Sequence, residues 1–118
     1  MLGILGTPYD RFRLAETLFE RRDYRDAAMV LEGLITDASA DDQQLHGLGA
    51  ARLLLARAYF HSAQLNKAEQ TLRALVADDP ADGYAVLLLG RTLERASRTD
   101  EARGVLARAA SMGLCSPR

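Results

Sequence analysis

Two histidines and one cysteine are, apart from the acids, the only side chains of the usual catalytic or metal-binding types in these 118 residues. Their spacing does not assemble them. His46 and His61 stand fifteen positions apart, which is neither same-face helical spacing nor metal-ligand spacing. Cys115 lies in the tail SMGLCSPR, with no rigid support to hold it against a histidine as a nucleophile. The stretches GILGTP and GLG lack the Lys-Ser/Thr and the preceding strand of a phosphate loop. Asp41-Asp42 and Asp78-Asp79 fall at inter-helix turns, where acids cap helices. The reading is a non-enzyme with no catalytic residue, no cofactor and no metal.

The bulk properties narrow the class further. A chain of this length is about one domain. It has no Trp and is rich in Ala, Leu, Arg and acids, which is helix-forming material. A formal net charge of −1 argues against a nucleic-acid partner held by phosphate neutralisation. The charge is uneven: residues 1–50 carry five Arg against nine acids, and residues 51–118 carry ten bases against seven acids. No segment reaches the ~18 apolar residues of a membrane span, and MLGILGTPYD lacks the basic start of a signal peptide. A single cysteine excludes an intrachain disulfide. A cytoplasmic protein with no membrane contact is expected.

The elements come from a repeat. LLARAYFHSAQLNKAEQTL (54–72) and LLGRTLERASRTDEARGVL (88–106) lie 34 residues apart and share a skeleton. Leu54, Leu55, Arg57, Ala68 and Leu72 recur as Leu88, Leu89, Arg91, Ala102 and Leu106, and Ala56 is answered by Gly90. The apolar steps inside each copy are helical, and a polar break such as HSAQLN suits a tight turn between two antiparallel helices. An earlier copy uses Leu14, Ala15, Leu18, Tyr24, Ala27, Leu31 and Leu34, seven residues further away than the period requires. The extra residues lie near TDASADDQQLHG, so the following helix is expected to start early, near Asp41 or Asp42. Helices are predicted at about 8–21, 24–37, 42–62, 65–78, 81–96 and 99–112. Thr7-Pro8 opens the first, Thr99 caps the last, and Gly113 closes it.

A 34-residue helix pair with these small and apolar positions resembles the tetratricopeptide repeat. The second copy supplies Leu55, Ala56, Tyr59, Ala63, Leu65, Ala68, Leu72 and Pro80, and the third Leu89, Gly90, Leu93, Ser97, Thr99, Ala102, Leu106 and Ala109. The family's early Trp is replaced by Arg11, Arg52 and Val86, and Arg22 stands where the first turn usually wants Gly. The resemblance implies an all-α fold, a right-handed α-solenoid of three helix–turn–helix hairpins over 8–113. An apolar arm (1–7) precedes it and a tail (114–118) follows. Ala56, Gly90, Ala68 and Ala102 are then places where helices cross closely. The last helix is expected to leave Val105, Leu106, Ala109 or Met112 partly uncovered.

The resemblance also implies a function, a scaffold that holds a partner's peptide or helix in a groove lined by the first helix of each repeat. The register places Tyr9, Phe12, Glu16 and Phe19, then Leu53, Arg57, Phe60 and His61, then Tyr84, Leu87, Arg91 and Arg95 in that groove. Five of the seven aromatics fall there, while Tyr24 and Tyr59 take core positions. Aromatic and Arg side chains dominate binding hot spots. The expected partner is a protein or peptide, apolar with some acidic character. The Lys/Asn/Arg clamp of chaperone-binding members is not matched, since Phe12, Glu16, Leu54, Tyr84 and Leu88 occupy its positions. The alternative is a self-assembly module, a homo-oligomer formed through the N-terminal arm or the uncapped C-terminal end.

Overall fold

A computed structural model describes residues 7–39 and 48–114. Residues 1–6 of the expected arm 1–7, His46, Cys115 and the expected early helix start at Asp41 or Asp42 lie outside them. Six helices follow one another with no strand among the described residues: α1 (Pro8–Glu20), α2 (Tyr24–Ser39), α3 (Leu48–His61), α4 (Leu65–Asp78), α5 (Gly83–Arg95) and α6 (Thr99–Ser111). The chain divides into two compact units, Met1–Ser62 and Ala63–Arg118.

The helix ends follow from local chemistry. The Thr7 hydroxyl accepts the Asp10 amide at 3.0 Å, and Pro8, which has no amide to satisfy, starts α1. The Asp82 carboxylate likewise accepts the Ala85 amide at 3.1 Å, so α5 begins at Gly83 rather than at 81. Helices α1, α5 and α6 close by the same device, a residue in left-handed conformation and a return of two amides to the last turn, and Ala63 after α3 is left-handed too (φ 62°). After α1, Arg22 has φ 67°, and the amides of Arg22 and Asp23 donate to Phe19 and Leu18. After α5, Ser97 (φ 64°) and Arg98 donate to Glu94 and Leu93. After α6, Gly113 (φ 92°) and Leu114 donate to Ala110 and Ala109. Only at Gly113 is the left-handed residue a glycine. Thr99 is not the cap of α6. That place falls to Arg98, the residue next to the left-handed Ser97, and its side chain does not cap.

In the first unit α2 packs against both α1 and α3. Its core is Ala15 from α1, Ala27, Ala28, Leu31, Leu34 and Ala38 from α2, and Leu48, Ala51, Leu54, Leu55, Ala56, Ala58 and Tyr59 from α3. Arg11 ties α1 to α2 through Asp37 at 2.6 Å. The Tyr59 hydroxyl donates to the Glu32 carboxylate, which fixes α3 to α2. Burial, reinforced by that carboxylate, pushes the Tyr59 phenol well above its usual range. Leu14, expected to match the buried Leu55, is 39% exposed instead. Within this unit α1 packs on α2 and only lightly on α3, so the Leu14 side is left uncovered.

In the second unit α5 lies between α4 and α6 and packs against both. Ala68, Leu72, Leu75, Ala85, Val86, Leu88, Leu89, Leu93, Ala102 and Ala109 are buried, with Thr92 satisfied by donating to the Leu88 carbonyl at 2.8 Å. The small residues mark close approach. A Cβ built on Gly90 would meet Leu106 Cδ2 at 2.6 Å and Cγ at 2.7 Å. Val105, Leu106 and Met112 are half-buried as expected, but Ala109 is fully buried because α6 turns that side to α5. Four charges link α4 to the start of α6: Glu69 meets Arg73 at 2.8 Å and Arg98 at 2.5 Å, and Glu101 meets Arg98 at 2.7 Å and Arg73 at 3.5 Å.

Candidate functional site

The helices sort their side chains sharply. On α3, Leu54, Leu55, Ala56, Ala58 and Tyr59 are buried, while Leu53, Arg57, Phe60 and His61 are not. On α5, Ala85, Val86, Leu88 and Leu89 are buried, while Tyr84, Leu87, Arg91 and Arg95 are not. On α1, Ala15 is buried, while Tyr9, Phe12, Glu16 and Phe19 are not. All twelve groove positions are thus at least partly exposed, including every aromatic among them. Exposed rings are costly to leave in water, so a set of them within one unit is informative.

In the first unit the end of α1, the start of α2 and the end of α3 bring four rings together. Phe19 meets Tyr24 edge-on at 5.0 Å between ring centres and His61 at 5.6 Å. Tyr24 stacks on His61 at 4.8 Å, and Phe60 meets His61 at 5.5 Å. The Arg57 guanidinium lies 4.6 Å above the Phe19 ring, in cation–π range. Beside this cluster opens a cleft of about 340 Å³ lined by Glu16, Phe19, Glu20, Arg22, Tyr24, Leu54 and Arg57. Glu16 on its edge is met by Arg13 at 3.5 Å. Tyr9 stands further along α1, 66% exposed, its hydroxyl accepting from Arg13 at 3.1 Å. Phe12 and Leu53 are half-buried nearer the start of their helices and do not line the cleft.

Tyr24 corrects the expectation that placed it in the core. It is the first residue of α2, directly after the turn, and is only half-buried, its ring against Phe19 and His61 and lining the cleft. The signal was its position next to a helix break, where fewer helical neighbours flank a side chain. Arg22 joins the cleft for the same reason: its left-handed backbone ends α1 beside it.

In the second unit Tyr84 is 41% exposed and Arg91 is 3.7 Å from Glu94. Leu87 is half-buried and Arg95 exposed on the same side of α5. Away from that side, Val86 and Leu89 form the floor of a smaller cleft of about 260 Å³, walled by Arg73, Val76 and Ala77 of α4 and by Val105 and Arg108 of α6. Nothing in the repeat pattern marked this second cleft. Among the described residues no group of three His, Cys, Asp or Glu side chains could hold a metal ion. No helix there is long and apolar enough to cross a membrane.

A family model for the tetratricopeptide repeat matches residues 18–85, more than half of the chain. The chain belongs to the tetratricopeptide repeat family. No curated protein and no solved structure matches it. The all-helical run of six successive helices is consistent with the helical hairpins of that family. Tetratricopeptide repeats generally mediate protein–protein interaction and are typically non-enzymatic scaffolds. The match begins at Leu18 in the last turn of α1 and ends at Ala85 at the start of α5, so it covers the whole turn that carries Phe19, Arg22 and Tyr24.

Proposed function

We propose that this tetratricopeptide repeat protein is a non-enzymatic, cytoplasmic scaffold that binds a peptide or helix of a partner protein. The binding face is the one that bears the partly exposed rings of α1 and α3. Phe12, Phe19 and Phe60 supply apolar anchors, with Arg57 and His61 beside them, and Tyr84, Leu87, Arg91 and Arg95 offer a face of the same kind on α5. The carrying observation is the sorting on α3. Five consecutive or near-consecutive small and apolar residues are buried, yet Phe60, between the buried Tyr59 and the exposed His61, stays partly in solvent against His61. A side chain kept there without core duty is available to a partner, and aromatic anchors of this kind carry much of an interface's energy.

The test is selection of binding peptides from a displayed random library, followed by affinity measurement on variants. Phe60→Ala and Phe19→Ala should each weaken the selected peptides by about 2 kcal/mol or more. Peptides that bind both variants as well as the original chain contradict the reading.

A second reading, self-assembly, is favoured by one observation. Leu14 is 39% exposed on α1, and Val105, Leu106 and Met112 are half-buried on and just after α6. Sedimentation at tens of micromolar decides between them, because a clean monomer leaves only the scaffold.

A further inference from the structure

We infer that the cleft beside Phe19 selects a partner segment carrying a side-chain carboxylate next to an apolar residue, and that Arg57 is the residue that reads the carboxylate. This rests on the scaffold reading and gives its site a chemistry.

Arg57 is half-buried on α3, and its guanidinium carbon lies over the Phe19 ring, 4.6 Å from the ring centre. A cation–π contact leaves the N–H donors without a hydrogen-bond acceptor, because the ring offers no lone pair to them. Glu16 and Glu20 line the same cleft, yet neither forms an ion pair with Arg57, and Glu16 is met by Arg13 instead. Among the described residues Arg57 pairs with no carboxylate at all. A guanidinium held in place by an aromatic face, with its donor edge uncommitted, is preorganised for the two parallel hydrogen bonds that a carboxylate accepts.

The rest of the lining sets the remainder of the chemistry. Phe19, Tyr24 and Leu54 give apolar walls for one side chain. A volume of about 340 Å³ is at the small end of ligand sites, fitting an anchor residue with its neighbour rather than a folded surface. Arg22 adds a second positive charge at the turn, while Glu16 and Glu20 add two negative ones. Two carboxylates in the lining disfavour a doubly charged phosphate, because like charges brought together out of water repel strongly. With Arg22 and Arg57 against Glu16 and Glu20 the lining is neutral, so a single carboxylate facing Arg57 adds one negative charge where a doubly charged phosphate adds two. The occupant is therefore an acidic–apolar segment and not a phosphorylated one.

The experiment uses the full chain and peptides selected on it from a displayed random library, resynthesised with acetylated and amidated ends. Each peptide's Asp or Glu is replaced by Asn or Gln, and affinities are measured for the original chain, Arg57→Gln and Arg57→Lys. The expected result is a loss of about tenfold for the amide peptide on the original chain, as for a hydrogen bond to a charged group. Arg57→Gln should bind acid and amide forms alike, with Arg57→Lys between the two. The helical signal at 222 nm, unchanged in both variants, shows that they fold. Selected peptides that lack an acid, or that lose the same factor on Arg57→Gln, overturn the inference while leaving the scaffold reading in place. So does binding that needs a free C-terminal carboxylate. Peptides whose affinity ignores Phe19→Ala and Phe60→Ala as well as Arg57→Gln overturn both.

Discussion

Replacing Gly90 by Ala tests the closeness of α5 and α6 in a way that changes sign with its surroundings. The added Cβ would sit 2.6 Å from Leu106 Cδ2, 2.7 Å from its Cγ and 3.4 Å from its backbone nitrogen. Carbon atoms in good contact stand about 3.5–4.0 Å apart, so the overlap is near 1 Å. Rotating Leu106 can move its Cδ2 but does less for Cγ, and the backbone nitrogen of α6 limits any retreat. Overpacking of this kind costs about 1–3 kcal/mol. Against it, Ala is about 0.8–1 kcal/mol better than Gly inside a helix. The net expectation is a destabilisation of about 0–2 kcal/mol. In a Leu106→Ala background the clashing atoms are gone and only the helix preference remains, so Gly90→Ala should then stabilise by up to about 1 kcal/mol. The coupling between the two sites is therefore about 1–3 kcal/mol. Urea denaturation of the four chains, followed at 222 nm, reads it directly. A Gly90→Ala change that stabilises equally in both backgrounds would refute the close crossing.

Tyr59→Ala should cost about 3–5 kcal/mol, because a ring only 6% exposed is lost and the Glu32 carboxylate loses its donor, whereas Phe60→Ala should cost clearly less. Equal denaturation midpoints for the two would put Phe60 in the core and remove it from the binding face. Arg22→Gly and Ser97→Gly should each raise stability by about 0.5–1 kcal/mol, since both residues hold a left-handed backbone that Gly adopts without a steric penalty; thermal midpoints check this. Hydrogen bonds from Arg73 and Arg98 hold the Glu69 carboxyl below the usual carboxylate range, and Arg98 does the same for Glu101. A carboxyl whose folded pKa is depressed contributes stability above its unfolded value near 4.3, and that contribution is lost as pH falls through the folded value. Urea midpoints from pH 7 to pH 3 should therefore fall less steeply on the acid side for Glu69→Gln than for the original chain, and parallel curves would contradict the role of the network.

The repeat made much of this legible because close helix crossings demand small residues regardless of what lies around them. Ala56, Gly90, Ala68 and Ala102 could be read from their recurrence alone, and all four are buried. The six helices were legible for the same reason, together with Thr7-Pro8 and the turn residues. What the pattern could not show depends on neighbours that the period does not encode. Leu14 has the spacing of a core residue but lies on the first helix and is 39% exposed, with few of the described residues of its unit on that side. Of the four candidates for partial exposure on and just after the last helix, Val105, Leu106 and Met112 are half-buried and Ala109 is buried, a division the period does not encode. Tyr24 matches a core position in the stencil, yet its place directly after the turn turns its ring to His61 and the cleft. The Arg57 contact with Phe19 joins residues 38 positions apart, and no local spacing reports such a pair.

Chemical-shift mapping with a selected peptide is the most direct measurement of the binding face. In ¹⁵N–¹H spectra of the labelled chain, the largest shifts on adding the peptide should fall on Phe12, Glu16, Phe19, Leu53, Arg57, Phe60 and His61. The side-chain Nε–H of Arg57 should move with them. Residues outside that set, such as Met29 on α2 and Val105 and Arg108 on α6, should stay in place. Shifts concentrated on Met29, Val105 and Arg108, with the α1 and α3 positions unmoved, would show that the exposed rings of the first unit are not where a partner binds.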